Sequence, residues 1–276
     1  MPTLVAGDGV RLEYCLDDFT DPWRTSETLV MLHAAMENSR RFYAWVPHLC
    51  RDFRVVRLDL RGHGRSEVPA ATSELTLSRL VQDVAELLNH LKVAKVHLMG
   101  SSAGGVIAQQ AAISHPDSVQ SLALYATSPG LKHNEDRLNN WVRRITTEGL
   151  RQFLEATISD RFGPQVDPRF VEWFLDETAA TNPGWLARFI PLMGSVDLRD
   201  EVHRIECPTL IVAPGADPLD PIEQYEALKT RIRGSRMIVY DNLPHNITDA
   251  VPDRCAKDLK NFLLSVGAGA QGHSPV

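Results

Sequence analysis

The sequence predicts an α/β protein with a mostly parallel, doubly wound sheet and a helical cap inserted after the sixth strand. Short apolar runs without polar alternation recur along the chain, and helical patterns lie between them. Strands that are apolar throughout are covered on both faces, which is typical of parallel sheets. Alternation of strands and helices indicates right-handed βαβ units with helices on both sides of the sheet.

The predicted strands begin with a hairpin over 4–16. Its turn is Gly7-Asp8-Gly9, a sequence that tolerates positive φ. The later strands are the apolar runs at 29–32, 55–58, 96–99, 122–125, 209–212 and 237–240.

Four helices are predicted in the intervals between strands and after the last strand. Over 77–91, apolar residues recur at three- and four-residue spacing, which makes an amphipathic stripe. The small, apolar segment 104–115 ends before Pro116. Segments 221–231 and 252–266 each have proline near the start, where a missing N–H costs nothing.

One long segment, 131–204, has helical patterns but no good strand, and it contains Trp141, Trp173 and Trp185. We predict that it forms a helical cap on a core made of 1–130 and 205–266. The Gly/Ala/Ser-rich stretch 267–276 is expected to be a disordered tail.

Composition excludes several classes of function. The chain has 276 residues, 43% of them hydrophobic, and a formal net charge of −6. It has no basic footprint for nucleic acid or anionic lipid, and no apolar run of the roughly 20 residues that span a bilayer. The cysteines are far apart and the N-terminus has no secretory pattern, so we expect a cytoplasmic protein without a metal site. Homo-oligomerisation is left open.

The candidate nucleophile is Ser102, at the centre of the G-x-S-x-G pattern Gly100-Ser101-Ser102-Ala103-Gly104. The pattern follows a predicted strand and opens a predicted helix, so its glycines would allow a sharp turn that exposes the serine. Ser101 is the rival nucleophile, but it lacks the flanking glycine spacing.

A serine hydroxyl needs an adjacent base, and the base needs a group that orients it. His245 lies in the loop after the last strand, and loops at the carboxyl ends of parallel strands meet at one edge of the sheet. Asp217 follows another strand and gives the chain order Ser…Asp…His. Asp220 is the competing acid.

An oxyanion hole requires two backbone N–H groups, which we assign to Ala35 and Ala103. The Ala35 loop also contains Glu37, whose carboxylate would repel an acidic substrate if it points inward. His33 and His63 lie in turns after strands, and we interpret both as structural.

Together these motifs resemble the α/β-hydrolase superfamily over about 29–264. They are the His33 loop, DLRGHGRS at 59–66, GSSAG at 100–104, the PTLIV strand with Asp217, and the His245 loop. Within it the chain is similar to the β-ketoadipate enol-lactone hydrolase group, around Ser102 and in the cap at Trp141, Arg144-Ile145 and Arg161-Phe162. The resemblance implies hydrolysis of a small lactone or ester, a cap over the acyl pocket, and no cofactor.

We therefore predict a serine hydrolase that cleaves a small carboxylic ester or lactone through an acyl-enzyme, with Trp141 and Trp173 in the substrate pocket. Alternatives that use the same three residues are a C–C bond hydrolase of the meta-cleavage type and a perhydrolase. A haloalkane dehalogenase or epoxide hydrolase is disfavoured, because these carry Asp where this chain has Ser102. A small-ligand receptor with little turnover is the alternative from a different class.

Overall fold

The computed structural model describes residues 2–271 and places eight strands in one sheet, in the order β1-β2-β4-β3-β5-β6-β7-β8. The pairs β1–β2 and β2–β4 are antiparallel, and every later pair is parallel, which confirms the predicted mostly parallel sheet. The strands are β1 (Thr3–Val5), β2 (Arg11–Asp17), β3 (Thr28–Leu32), β4 (Arg54–Leu58), β5 (Val96–Ser101), β6 (Val119–Tyr125), β7 (Thr209–Pro214) and β8 (Arg236–Tyr240).

The predicted hairpin is β1 and β2. Its turn is closed by hydrogen bonds between Ala6 and Val10 (2.8 Å) and between Gly9 and Ala6 (2.8 Å). Gly9 has a φ of 87°, a value that glycine adopts at little cost.

Helices cover both faces of the sheet. They are α1 (Val46–Leu49), α2 (Leu77–Leu91), α3 (Ala103–Ser114), α4 (Glu135–Glu148), α5 (Leu150–Ala156), α6 (Pro168–Ala179), α7 (Pro183–Ser195), α8 (Ile222–Arg231), α9 (Ile247–Ala250) and α10 (Pro252–Gln271). In β3, Val30 and Leu32 belong to the core on the α2–α3 face, whereas Leu29 and Met31 belong to the core on the α10 face. Burial on both faces explains why these strands are apolar without alternation.

Between β6 and β7, the structure describes every residue of 131–204, and they form helices α4 to α7 and short 3₁₀ segments without a strand. This helical unit contacts the core loops: the Thr181 hydroxyl donates to the Met36 carbonyl (3.0 Å), and Arg41 Nη1 donates to Thr178 Oγ1 (3.3 Å). It lies over the loops that follow β3 and β8, which places it above the carboxyl ends of the strands.

The C-terminal helix α10 continues to Gln271, beyond the predicted end at Val266. The predicted tail therefore overlaps the end of this helix at 267–271. The rest of the predicted tail, 272–276, lies outside the described residues. Among the described residues, no helix combines the length and the apolar character required to cross a membrane.

Candidate active site

The sharp turn between β5 and α3 carries Ser102. Its backbone has φ 49° and ψ −116°, a strained conformation for a residue other than glycine. A Cβ at Gly100 would lie 2.4 Å from the Gly104 carbonyl oxygen, and one at Gly104 would lie 2.5 Å from the carbonyl oxygens of Leu32 and His33. Both positions therefore require glycine, because neighbouring backbone atoms leave no room for a Cβ. This close packing of the turn places the serine at the start of α3.

His245 lies in the loop after β8 and joins Ser102 to Asp217. Its Nε2 is 3.0 Å from Ser102 Oγ, and its Nδ1 is 2.8 Å from Asp217 Oδ2. The structure thus brings together the three residues that the sequence predicts, from loops that follow β5, β7 and β8.

Burial alone would lower the pKa of His245, but the Asp217 carboxylate offsets it and the net pKa is raised. Burial would likewise raise the pKa of the Asp217 carboxyl, but the imidazole beside it lowers the net value. Asp217 also accepts hydrogen bonds from the Tyr225 hydroxyl (2.5 Å) and the Leu219 amide (2.9 Å). These contacts fix an ionised carboxylate against the imidazole.

The competing acid, Asp220, has a different partner. Its Oδ1 is 2.7 Å from His133 Nε2 and 3.3 Å from Asn134 Nδ2, both at the beginning of the cap. Its Oδ2 is buried without a hydrogen-bond partner among the described residues. Asp220 therefore links the cap to the Asp217 loop, and of these two acids it is Asp217 that forms the hydrogen bond with the His245 imidazole.

Asp217, Asp220 and His245 have ligand atoms within 4.8 Å of one another, which is a possible geometry for a metal ion. A cation in this position would have to replace the hydrogen bond between Asp217 Oδ2 and His245 Nδ1, and Asp217 Oδ2 also accepts from Tyr225. The group is therefore better arranged to hold a proton than a metal ion.

The backbone amides of Ala35 and Ala103 are the predicted donors of the oxyanion hole. Ala103 is the first residue of α3, and Ala35 lines the same cavity as Ser102. In the part of the chain that the structure describes, neither amide N–H has a hydrogen-bond acceptor. Both are thus available to an oxygen bound beside Ser102.

A small cavity of about 50 Å³ lies over Ser102 and His245. Five of its lining residues come from the cap. They are Trp141, Leu154 and Arg161, together with Phe174 and Thr178 of α6. Its remaining lining residues come from the β3 loop, the Asp217 loop and the His245 loop: Ala34, Ala35, Met36, Glu37, Leu219 and Asn246.

Trp141 thus reaches the cavity as predicted, but Trp173 does not. Trp173 packs against Tyr43 and Phe170 and lines a separate surface groove. On α6 the cavity is reached by Phe174 and Thr178, which are one turn apart on one face. Successive residues of a helix are rotated by about 100° around its axis. Trp173, which directly precedes Phe174, therefore lies on a neighbouring face of α6.

Glu37 and Arg161 line the cavity, and no role was assigned to Arg161 from the sequence. Glu37 is 5% exposed and accepts a hydrogen bond from Asn246 Nδ2 (3.0 Å). Burial raises the pKa of Glu37 to about 7, against the opposing effect of the Arg41 guanidinium. Burial lowers the pKa of Arg161 to about 10, so that it remains a cation near neutral pH.

His33 and His63 have structural contacts. His33 Nδ1 donates to the Ala34 carbonyl (2.8 Å), and its Nε2 accepts from the Leu60 amide (3.0 Å). His63 Nδ1 donates to the Arg61 carbonyl (3.0 Å), and its ring packs on Phe189. Burial lowers the pKa of His33 to about 4 and that of His63 to about 3, so both stay neutral.

The model of the α/β hydrolase fold family matches residues 27–189, which is more than half of the chain. The chain belongs to the α/β-hydrolase fold family. It is 32% identical, over 95% of its length and 98% of the relative's, to a Bacillus subtilis protein with the name 2-succinyl-6-hydroxy-2,4-cyclohexadiene-1-carboxylate synthase. It is 28% identical, over 80% of its length and 84% of the relative's, to 3-oxoadipate enol-lactonase 1 of Acinetobacter baylyi.

Among solved structures, a hydrolase from Pseudomonas aeruginosa matches this α/β hydrolase with a TM-score of 0.86 and 30% identity, over 95% of this chain and 97% of that one. The predicted resemblance to α/β hydrolases, with enol-lactonase-like members among the relatives, is confirmed. The comparisons support an enzyme of this family.

Proposed function

We propose that the protein is a serine hydrolase that cleaves a small carboxylic ester or lactone through an acyl-enzyme. The observation that carries the proposal is the continuous hydrogen-bonded line from Asp217 Oδ2 through His245 to Ser102 Oγ, with distances of 2.8 Å and 3.0 Å. A base in contact with the serine, and a carboxylate that orients the base, are what an activated serine nucleophile needs.

In the first step, Ser102 Oγ attacks the substrate carbonyl carbon while its proton moves to His245 Nε2. The carbonyl oxygen becomes an oxyanion and accepts hydrogen bonds from the Ala35 and Ala103 amides. The imidazolium, stabilised by Asp217, then gives its proton to the leaving alkoxide as the C–O bond breaks. An acyl group remains on Ser102.

In the second step, His245 takes a proton from water, and the water oxygen attacks the acyl carbon. The bond to Ser102 Oγ breaks, the serine recovers its proton from His245, and the carboxylic acid is released. With a lactone the alcohol and the acid belong to one product molecule. The small, largely apolar cavity under the cap suits a small substrate and limits the access of other water molecules.

The test is turnover of a short-chain p-nitrophenyl ester and of an enol-lactone by the wild type and by Ser102→Ala. We expect the wild type to hydrolyse at least one, and the variant to lose roughly 10³-fold or more in kcat. Ser101→Ala is the matched control and should keep activity, because Ser101 is the last residue of β5. Equal, negligible rates from the wild type and Ser102→Ala, with small ligands still bound, would favour a receptor.

A further inference from the structure

Glu37 is a buried acidic side chain on the core side of the cavity over Ser102. It lies in the loop after β3, two residues beyond Ala35, and is 5% exposed. Its Oε1 accepts a hydrogen bond from Asn246 Nδ2 (3.0 Å), and Asn246 directly follows His245 in the chain. The carboxyl group therefore lies between the loop with a predicted oxyanion donor and the loop with the base.

Arg41, a cation close behind Glu37 in the chain, is held by a different carboxylate. Its Nε and Nη2 lie 2.9 Å and 2.7 Å from Asp249 Oδ1, and its Nη1 donates to Thr178 Oγ1 (3.3 Å). Glu37 itself has no ion pair within the described residues. Ionisation of a buried carboxyl group without a cationic partner is costly, so this position favours a neutral, protonated Glu37.

The charges around Glu37 agree with this. Charged or titratable groups face it from the elements packed around it: Arg41 of the 3₁₀ segment Ser39–Phe42, Asp249 of α9, His245 of the β8 loop and Arg161 of the cap. Burial raises the pKa of Glu37 to about 7 and Asp249 acts in the same direction, whereas Arg41, His245 and the Ala34 amide oppose them. Near neutral pH, a substantial fraction of the protein therefore has a protonated Glu37.

The proton of the neutral carboxyl group belongs on Oε2, since Oε1 already receives the Asn246 amide. Asn246 Nδ2 also lies 3.4 Å from Asp249 Oδ2, so both of its contacts are with carboxyl oxygens, as a donor requires. Within the described part of the chain Oε2 forms no hydrogen bond, and it is not sealed inside the protein. The wall of the cavity thus carries an O–H donor without a protein acceptor, and a polar group that stays unpaired is costly.

We propose that neutral Glu37 is a further catalytic residue, which donates a hydrogen bond from Oε2 to the substrate oxygen that becomes negatively charged as Ser102 attacks. The role depends on the proposed hydrolase function, which places the reacting carbonyl at Ser102. The cavity of about 50 Å³ keeps its wall close to that carbonyl. The carboxyl group keeps its proton throughout, so Glu37 forms and breaks no covalent bond. An ionised Glu37 repels the oxyanion instead of stabilising it.

This role gives kcat/KM a bell-shaped dependence on pH. The acid limb reports His245, which must be neutral to take the Ser102 proton, and the alkaline limb reports loss of the Glu37 proton. Each group affects the pKa of the other, so the two limbs belong to the pair. A serine hydrolase site with no titrating acid at the oxyanion has only the acid limb in this range.

The test measures kcat/KM for p-nitrophenyl acetate, corrected for spontaneous hydrolysis, from about pH 5 to about pH 9. p-Nitrophenolate leaves without being protonated, so the rate reports stabilisation of the carbonyl oxygen. We expect the wild type to lose roughly 10²-fold above about pH 7, comparable with the removal of one oxyanion donor. Glu37→Gln keeps an acceptor for Asn246 and an N–H donor for the cavity, so its rate should stay level above the acid limb. Glu37→Met should be roughly 10²-fold slower than the wild type at about pH 6.

Infrared difference spectra separate a donor to the substrate from a group that only supports the His245 loop. The wild type at about pH 6 should show the carbonyl band of a protonated carboxyl group that is missing in Glu37→Gln. This band should shift when a p-nitrophenyl phosphonate labels the serine, because the phosphonyl oxygen takes the position of the oxyanion. A group that only supports the loop keeps its band position on labelling.

Glu177→Gln is the matched control, because Glu177 pairs with Arg40 in the segment after the β3 loop and lies outside the residues that line the cavity. It should keep both limbs of the wild-type profile. An alkaline limb that persists in Glu37→Gln overturns the role of Glu37 alone, as does a wild type that hydrolyses the ester without an alkaline limb. Should Glu37→Gln not fold, an unshifted carboxyl band in the labelled wild type has the same consequence. A wild type that hydrolyses the ester at no pH overturns the proposed function.

Discussion

At the scale of single residues, two carboxylates near His245 have separate tasks. Asp217 Oδ2 lies 2.8 Å from His245 Nδ1, whereas Asp220 Oδ1 is bound by His133 at 2.7 Å. The order Ser…Asp…His in the chain fits Asp217 and Asp220 equally. The distinction depends on how the loop after β7 turns, and three residues of separation in the sequence do not determine that turn.

Replacement of these two acids should therefore have unequal effects. We expect Asp217→Asn to lower kcat by roughly 10³- to 10⁴-fold, because the imidazole loses its orienting carboxylate. The acid limb of kcat/KM should also move to lower pH, since the carboxylate raises the pKa of His245. Asp220→Asn is the matched control with a much smaller loss. Steady-state rates across pH check this, and a loss in Asp220→Asn as large as in Asp217→Asn would refute the assignment.

Glu37 gives a second prediction, on stability. Its pKa rises from 4.5 to about 7 on folding, so between these values the folded state holds a proton that the unfolded state has lost. The free energy of unfolding should therefore fall as pH rises through this range, and Glu37→Gln should remove that loss. As the pH rises from about 5 to about 8, we expect the free energy of unfolding of Glu37→Gln to increase by about 1–3 kcal/mol relative to that of the wild type.

Denaturant unfolding at both pH values measures this gain. The exposed Glu74→Gln is the control and should follow the wild type at both. Parallel stability curves for the wild type and Glu37→Gln would show that the Glu37 carboxyl titrates normally in the folded protein.

At the scale of elements, the turn from β5 into α3 was predictable because its chemistry is local. The spacing of Gly100, Ser102 and Gly104 specifies the conformation, and the structure adds the reason, since a Cβ at Gly104 would lie 2.5 Å from backbone oxygens of the β3 end. The cap was less predictable. Its helical nature is visible in the sequence, but which face of α6 lines the cavity depends on how the cap docks, so Phe174 was missed and Trp173 was misplaced.

The close approach at Gly104 predicts a stability effect. Gly104→Ala should destabilise the protein by about 1–3 kcal/mol, the usual cost of forcing an extra methyl group into a packed site. Gly267→Ala in α10 is the control, because a Cβ there would lie 3.7 Å from Glu27 Oε2, an ordinary contact. Thermal unfolding compares the two, and an unchanged Tm for Gly104→Ala would show that the turn tolerates a side chain.

At the scale of the whole molecule, the doubly wound sheet explains why distant residues meet. The parallel strands β3, β5, β7 and β8 end at one edge, so the loops with Ala35, Ser102, Asp217 and His245 converge there. That convergence followed from the alternation of strands and helices in the sequence. The environment of the charges under the cap did not, because it depends on packing: Arg161 is buried by the way the cap lies against the core loops.

The cap also reaches the His245 loop directly. The His245 amide donates to the Asp160 carbonyl (3.4 Å), and the Asn246 amide donates to the Arg161 carbonyl (3.2 Å). The segment that carries Arg161 is therefore the segment that holds the His245 loop.

The most direct test of the central claim is covalent labelling with a small p-nitrophenyl phosphonate, followed by intact mass and peptide mapping. The proposed mechanism predicts release of one p-nitrophenolate per chain and one phosphonyl group on Ser102, with no label in Ser102→Ala and slow labelling in Asp217→Asn. Labelling of Ser101 or of another side chain, or a wild type that hydrolyses esters while Ser102 stays unmodified, would contradict it.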